Sequence, residues 1–224
     1  MKERKRAIFL GLPGSGTSFW AQLLMSMGWV APPPYQGNRP YPTFETKALR
    51  DANASLLGGT VANQRRFDSD FAVNRPSDRD LADSERLVIH SSAHYERYFL
   101  KNPETTLTYV PLWSKWDWDH VIGVYRDPTA NVESIWKHHL ASPARARLTK
   151  ADICRAWEHW NSIVFHHATI RVRFPASKAD VNRFIAEIGD EPDGSVKFDE
   201  SMVNSREGRA IPKWAAKLWR KLES

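Results

Sequence analysis

The chain contains one cysteine, Cys154, among 224 residues. No internal disulfide can form, and this usage suits a reducing cytoplasm. Cys154 falls in a helical pattern with Ile153 and Trp157 and reads as a packed thiol rather than a nucleophile. No apolar run approaches the 18 residues of a membrane-spanning helix, so no span is expected. The basic start, Lys2-Glu3-Arg4-Lys5-Arg6, precedes a short apolar run that ends in glycine without a cleavage-site pattern, and no signal peptide is expected. No Cys/His spacing suggests zinc. His138-His139 and His166-His167 are adjacent, and neighbours on a helix do not face each other, so no metal is expected. Internal repeats and the signatures of nucleic-acid-binding modules are lacking as well.

What is present predicts one α/β domain over residues 1–224, since this length and 42% hydrophobic content can bury a single sizeable core. Strands are read at 7–11, 86–89, 121–125 and 171–174. Helical spacing is read over 16–28, about 45–57, 104–116 with a break near Pro111, the stretch after Pro128, about 178–188 and 212–222. Thr149-Lys150-Ala151-Asp152 has the form of a capping box and opens a long helix. Residues 30–43 hold five prolines and cannot be regular structure, and 58–86 read as a polar, mobile flap. Ten tryptophans are many for this length, and packing is the expected role for most of them.

The most informative stretch is Ala7-Ile8-Phe9-Leu10-Gly11-Leu12-Pro13-Gly14-Ser15-Gly16-Thr17-Ser18-Phe19-Trp20. A strand meets a glycine-rich turn that opens into a helix. Backbone amides, two hydroxyls and a helix N-terminus together make an anion cradle, most often filled by phosphate. The same pattern also describes a βα turn that needs glycine only for packing. Gly11 and Gly16 have the separation of a nucleotide-hydrolysing P-loop, but Thr17 stands where that loop carries lysine, which disfavours an ATP- or GTP-dependent kinase. Further on, Val121 to Tyr125 read as a buried strand with Arg126 at its carboxyl end, where open α/β sheets collect ligands. Ser134 follows eight residues later, about two turns along the next helix.

Together these residues resemble the sulfotransferase superfamily that uses 3′-phosphoadenosine-5′-phosphosulfate (PAPS). Pro13-Gly14-Ser15-Gly16-Thr17-Ser18 is similar to its 5′-phosphosulfate loop, and Arg126 with Ser134 matches its 3′-phosphate pair. Phe44-Glu45 with Asn53 and Leu56-Leu57, and Lys101-Asn102-Pro103 with Pro111-Leu112-Trp113, resemble segments of the bacterial branch. The likeness covers residues 6–140. It implies a three-layer P-loop-type α/β fold with a short parallel sheet flanked by helices. It also implies sulfuryl transfer from PAPS to a hydroxyl, or with less support an amine, of a small-molecule or carbohydrate acceptor. A cleft for such a nucleotide and an anionic acceptor accounts for the net charge of +6, whose carriers are scattered, so no nucleic-acid partner is expected. Nothing in the pattern specifies an oligomeric state.

The resemblance assigns donor binding to Pro13, Gly14, Ser15, Gly16, Thr17, Ser18, Arg126 and Ser134. Arg206 would close over the 3′-phosphate, or else is a solvated charge. Gly14 stands where the family carries lysine or arginine, and Asn102 and Glu104 replace an aspartate and an arginine. Lys101 is the candidate substitute cation, or else a surface lysine. Two residues are candidates for the base. One is Glu45, which a helix N-terminus would stabilise equally well. The other is His90 at the end of the strand read at 86–89, or else a core histidine. Two other classes stay open. One is a kinase with a degenerate P-loop, whose only candidate magnesium ligand is Asp127. The other is a non-catalytic nucleotide-binding protein, which the residue at Gly14 favours.

Overall fold

The computed structural model of the chain describes residues 4–34, 44–58, 67, 73–140, 149–189 and 212–224, with the backbone only at 138–140. Four strands, β1 (Lys5–Gly11), β2 (Arg97–Lys101), β3 (His120–Arg126) and β4 (Ile170–Phe174), form one parallel sheet in the order β2-β1-β3-β4. In register, Phe9 lies opposite Lys101, Gly11 opposite Val124, and Arg126 opposite Phe174. Gly11, Lys101, Arg126 and Phe174 are the last residues of their strands, so one edge of the sheet gathers them.

β1, β2 and β3 carry apolar residues on both faces, as a sheet covered on both sides requires, while edge strand β4 sets Ile170 and Val172 on one face and Arg171 and Arg173 on the other. Ile8, Leu10, Tyr98, Leu100, Val121 and Tyr125 point into one core. There they meet residues of α2 (Lys47–Leu56), α3 (Asp78–His94), α4 (Thr105–Thr108), α5 (Pro128–Leu140), α6 (Lys150–His167) and α8 (Ala216–Glu223). Ala7, Phe9, Phe99, Ile122, Val124, Ile170 and Val172 point into the other, against α1 (Thr17–Ser26) and α7 (Lys178–Ile188). The result is a three-layer α/β domain with a parallel sheet between helices. Among the described residues no helix is long and apolar enough to cross a membrane.

Local chemistry sets the helix starts. Ser77, Thr149 and Ser177 each accept from the backbone N–H three residues on, while Asp80, Asp152 and Asp180 reach back to the cap N–H. The Thr149 box and the helices expected at 16–28, 45–57 and 178–188 form as read, within a residue or two at their ends. The 104–116 stretch is α4, a turn through Pro111 and a 3₁₀ turn at Trp113–Lys115. Residues 30–34 carry only an isolated bridge, Val30 to Tyr98, and 35–43 lie outside the described residues.

One assignment is corrected. Residues 86–89 are not a strand: they lie within α3, and the second strand is 97–101. The run Leu87-Val88-Ile89 is too short for periodicity to separate strand from helix. The Ser77–Asp80 box starts a helix upstream, and Ser84, Leu87, Val88 and Ser91 recur at helical spacing on its buried side, leaving Ile89 57% exposed. The segment expected as a flap is therefore helical from Asp78 onward, while 59–66 and 68–72 lie outside the described residues.

Candidate anion site

The order β2-β1-β3 means that the chain leaves β1 on one side and returns on the other. In such sheets the crevice for ligands opens beyond the carboxyl ends of the two strands at this switch. Here those strands are β1, which delivers the glycine-rich loop, and β3, which delivers Arg126. Tertiary structure thus brings the two sequence motifs together. Arg126 Nη1 donates to the carbonyl of Gly14 at 3.0 Å, across 112 residues of chain. Asn131 Nδ2, one turn into α5, donates to the carbonyl of Pro13 at 3.0 Å. A Cβ on Gly14 would lie 3.3 Å from Asn131 Nδ2 and 3.4 Å from Ser134 Oγ, so Ser134 faces the loop across the space of the missing side chain.

Backbone conformation dictates two of the loop's glycines. Gly14 has φ +78° and Gly16 φ +97°, in the left-handed region that disfavours side chains. The residue at 14 is therefore a requirement of this loop shape as well as the loss of a cation. Gly16 has a second constraint: a Cβ there would sit 2.2 Å from Cγ of Phe174. The Phe174 ring closes this side of the loop, and the Arg126 guanidinium lies 5.5 Å from its centroid. Behind Arg126, buried Trp157 donates Nε1–H to its carbonyl at 3.3 Å, and Trp214 packs edge-on against Trp157.

Gly16 is the N-cap of α1 and makes no side-chain cap bond. Thr17 and Ser18 open that helix, whose first-turn N–H groups have no carbonyl four residues back within it, that of Phe19 donating to the Gly16 carbonyl at 3.0 Å. Among the described residues the buried hydroxyl of Ser15 has no hydrogen-bond partner. A loop with left-handed glycines, a helix N-terminus, an unpartnered hydroxyl and a fixed guanidinium suits an anion.

Glu45 and Lys101 form a second cluster. Lys101 ends β2 with its side chain 1% exposed, and its Nζ lies 3.6 Å from Oε1 of Glu45, which is 24% exposed. Lys101 is therefore not a surface lysine, and two candidates 56 positions apart in sequence become one ion pair. Asn53 ties the surrounding segments together. Its Nδ2 donates to Asn102 Oδ1 and Thr105 Oγ1, both at 2.9 Å. Its Oδ1 accepts from Thr108 Oγ1 at 2.7 Å and Trp113 Nε1 at 2.8 Å. Thr106, next in line, accepts from the N–H of Gly11 at 2.7 Å, which joins this network to the start of the loop.

The remaining candidates fall elsewhere. His90 is not at a strand end: it is exposed on α3, two turns or less from the amino end of β2, opposite the edge that carries the loop. Arg206 lies outside the described residues. Asp127 starts α5, its Oδ1 accepting from the N–H of Ala130 at 2.8 Å with Pro128 behind it, so helix capping accounts for this carboxylate. Burial pushes the Cys154 thiol up, in keeping with a packed side chain. Burial and the nearby Glu223 carboxylate likewise hold the Tyr125 hydroxyl neutral.

Sequence reading missed Asn131, Phe174 and Thr106. Asn131 had a signal, since it precedes Ser134 by three on one helix face. Phe174 had one too, at the carboxyl end of a recognised strand. Thr106 had none.

The chain matches no protein-family model and no curated protein sequence. Among solved structures it is similar to the one described as the crystal structure of TT1252 from Thermus thermophilus, at 17% identity and a TM-score of 0.46. The match covers 84% of this chain and 97% of that one.

Proposed function

We propose that the protein is a sulfotransferase that takes PAPS as donor and a hydroxyl-bearing small molecule or carbohydrate as acceptor. The observation that carries this reading is the meeting of Arg126 and Ser134 with the Pro13–Ser18 loop at the switch point of the sheet. A nucleotide with phosphate groups at both its 5′ and 3′ positions needs two anion subsites side by side, and this pairing offers them.

The residues fit the donor in three respects. The exposed, side-chain-free Gly14 leaves room for an anion on the loop, and the buried Ser15 hydroxyl behind it has no partner among the described residues. The α1 N-terminus favours negative charge. Arg126 is fixed by the Gly14 carbonyl, the Phe174 ring and Trp157. When bound, PAPS supplies an activated sulfuryl group, and transfer resembles phosphoryl transfer in needing positioning and charge stabilisation more than covalent work by protein. In this reading the loop and α1 hold the 5′ end, and Arg126 with Ser134 holds the 3′-phosphate. Glu45 accepts the acceptor's proton, and Lys101 supplies the cation that Gly14 does not. A kinase reading loses support, because capping already accounts for Asp127.

Calorimetry of the full chain with 3′,5′-adenosine bisphosphate and with 5′-AMP tests this. The bisphosphate should bind more tightly, and Arg126→Ala should abolish the preference at unchanged circular dichroism. A lost charge-assisted contact of about 1.5–3 kcal/mol corresponds to about a 10- to 150-fold weakening. Equal affinity for the two nucleotides would overturn the two-subsite reading. Tight bisphosphate binding without sulfuryl transfer to any acceptor would favour a non-catalytic nucleotide-binding protein.

A further inference from the structure

The chain's eight histidines stand at 90, 94, 120, 138, 139, 159, 166 and 167, and 90 and 94 are the only two spaced i, i+4. Had residues 86–94 been a strand, four residues at about 3.3 Å each would separate them by about 13 Å. On α3 they are neighbours one turn apart. Their ring centroids are 4.1 Å from one another and both residues are exposed.

Their hydrogen bonding selects a tautomer. Nδ1 of His94 lies 2.9 Å from the carbonyl of His90. A carbonyl can only accept, so Nδ1 carries the proton, and in the neutral ring Nε2 carries the lone pair. That is the arrangement in which metal-ligating histidines are found, one ring nitrogen donating to a carbonyl and the other left to bind. Two imidazole nitrogens at 2.0–2.1 Å from one tetrahedral ion are about 3.3 Å apart. With the centroids 4.1 Å apart and His94 held on the carbonyl, turning the exposed His90 ring is the movement that would set two nitrogens on one ion. Arg86, one turn before His90, is paired with Asp83 at 2.6 Å, which offsets the nearest positive charge along the helix.

We propose that His90 and His94 form a bidentate site for a divalent transition metal of the imidazole-preferring class: copper, nickel or zinc. Among the described residues no third His, Cys, Asp or Glu joins them, so water completes the coordination. The site lies at the amino end of the sheet, remote from the anion loop, and does not depend on the transferase reading.

The test uses the untagged full-length chain at neutral pH, titrated with Ni(II) in a calorimeter beside His90→Gln, His94→Gln and the double variant that carries both. Both substitutions are on an exposed helix face and should leave the fold intact, which circular dichroism checks. One Ni(II) should bind per chain. Each variant should weaken binding by about tenfold or more, because losing either ligand loses the chelate. Cu(II) should bind more tightly than Ni(II), and Zn(II) less tightly than Cu(II). Wild-type affinity in either variant, or no Ni(II) binding by the wild type beyond that of the double variant, would overturn the proposal.

Discussion

Alanine at Gly16 and alanine at Gly14 should cost the protein very different amounts, although both glycines lie in one loop with positive φ. The shared cost is the left-handed backbone, about 1–2 kcal/mol for an L-residue. At Gly14 little is added, because the new methyl would meet Asn131 Nδ2 at 3.3 Å and Ser134 Oγ at 3.4 Å, contacts that small shifts relieve. At Gly16 it would overlap Phe174, 2.2 Å from Cγ and 2.6 Å from Cβ. The overlap is with the root of the ring, so the side chain must leave its place or β4 must shift, an overpacking cost of about 1–3 kcal/mol. Gly16→Ala should therefore destabilise by about 3 kcal/mol and Gly14→Ala by about 1. At this chain length a kilocalorie moves Tm by about 2–4 °C. Thermal unfolding followed by circular dichroism should then show losses of about 6–12 °C and 2–4 °C. Phe174→Ala in the Gly16→Ala background should recover part of the difference, a coupling of about 1–2 kcal/mol in a double-mutant cycle. Equal Tm losses for the two glycine variants, or strict additivity of Gly16→Ala with Phe174→Ala, would refute the claim that the ring closes the loop.

Further outcomes follow from other sites. Asn53→Ala removes a side chain whose donors and acceptor are engaged by four buried partners; it should cost about 3–5 kcal/mol, read as a Tm loss of roughly 10 °C. The Glu45–Lys101 pair should be asymmetric. Glu45→Gln takes the carboxylate from a 1% exposed ammonium and should cost more than Lys101→Met, which replaces the charge by an apolar chain of similar length; chemical denaturation of both variants checks the order. If Lys101 stabilises the leaving oxygen, Lys101→Ala should lower sulfuryl-transfer turnover by about 10²-fold or more at nearly unchanged donor affinity, and wild-type turnover would reject that role. Thr149→Ala should cost about 1 kcal/mol at neutral pH. The hydrogen bonds from Thr149 hold the Asp152 carboxyl below its ordinary value, so the carboxylate's share of this contribution is present above about pH 4 and lost as pH falls through the lowered value, while the Thr149 hydroxyl still accepts from the Asp152 N–H. The gap between the two stability curves should narrow in acid.

What the sequence determined alone is what local rules can carry. Strand β1 with its loop and helix, strand β3 ending at Arg126, and the Thr149 capping box are each contained in a short window. There apolar run, glycine and cap act on near neighbours, so their positions were legible without a fold. The failure at 86–89 marks the boundary of such rules. Three apolar residues satisfy strand and helix alike, and the deciding feature, the Ser77–Asp80 box, begins ten residues before Leu87 in a stretch that composition describes only as polar. The site itself was decided by tertiary structure. The sheet order set β1 beside β3, which put Arg126 on the carbonyl of Gly14 and Ser134 opposite its missing side chain. The β2 register buried Lys101 against Glu45, and β4 set Phe174 against Gly16. Helix α3 turned His90, expected at a strand end, and His94 into neighbours. No local preference encodes these contacts, because they depend on which strand pairs with which, and strand pairing is settled by burying both faces of the sheet at once.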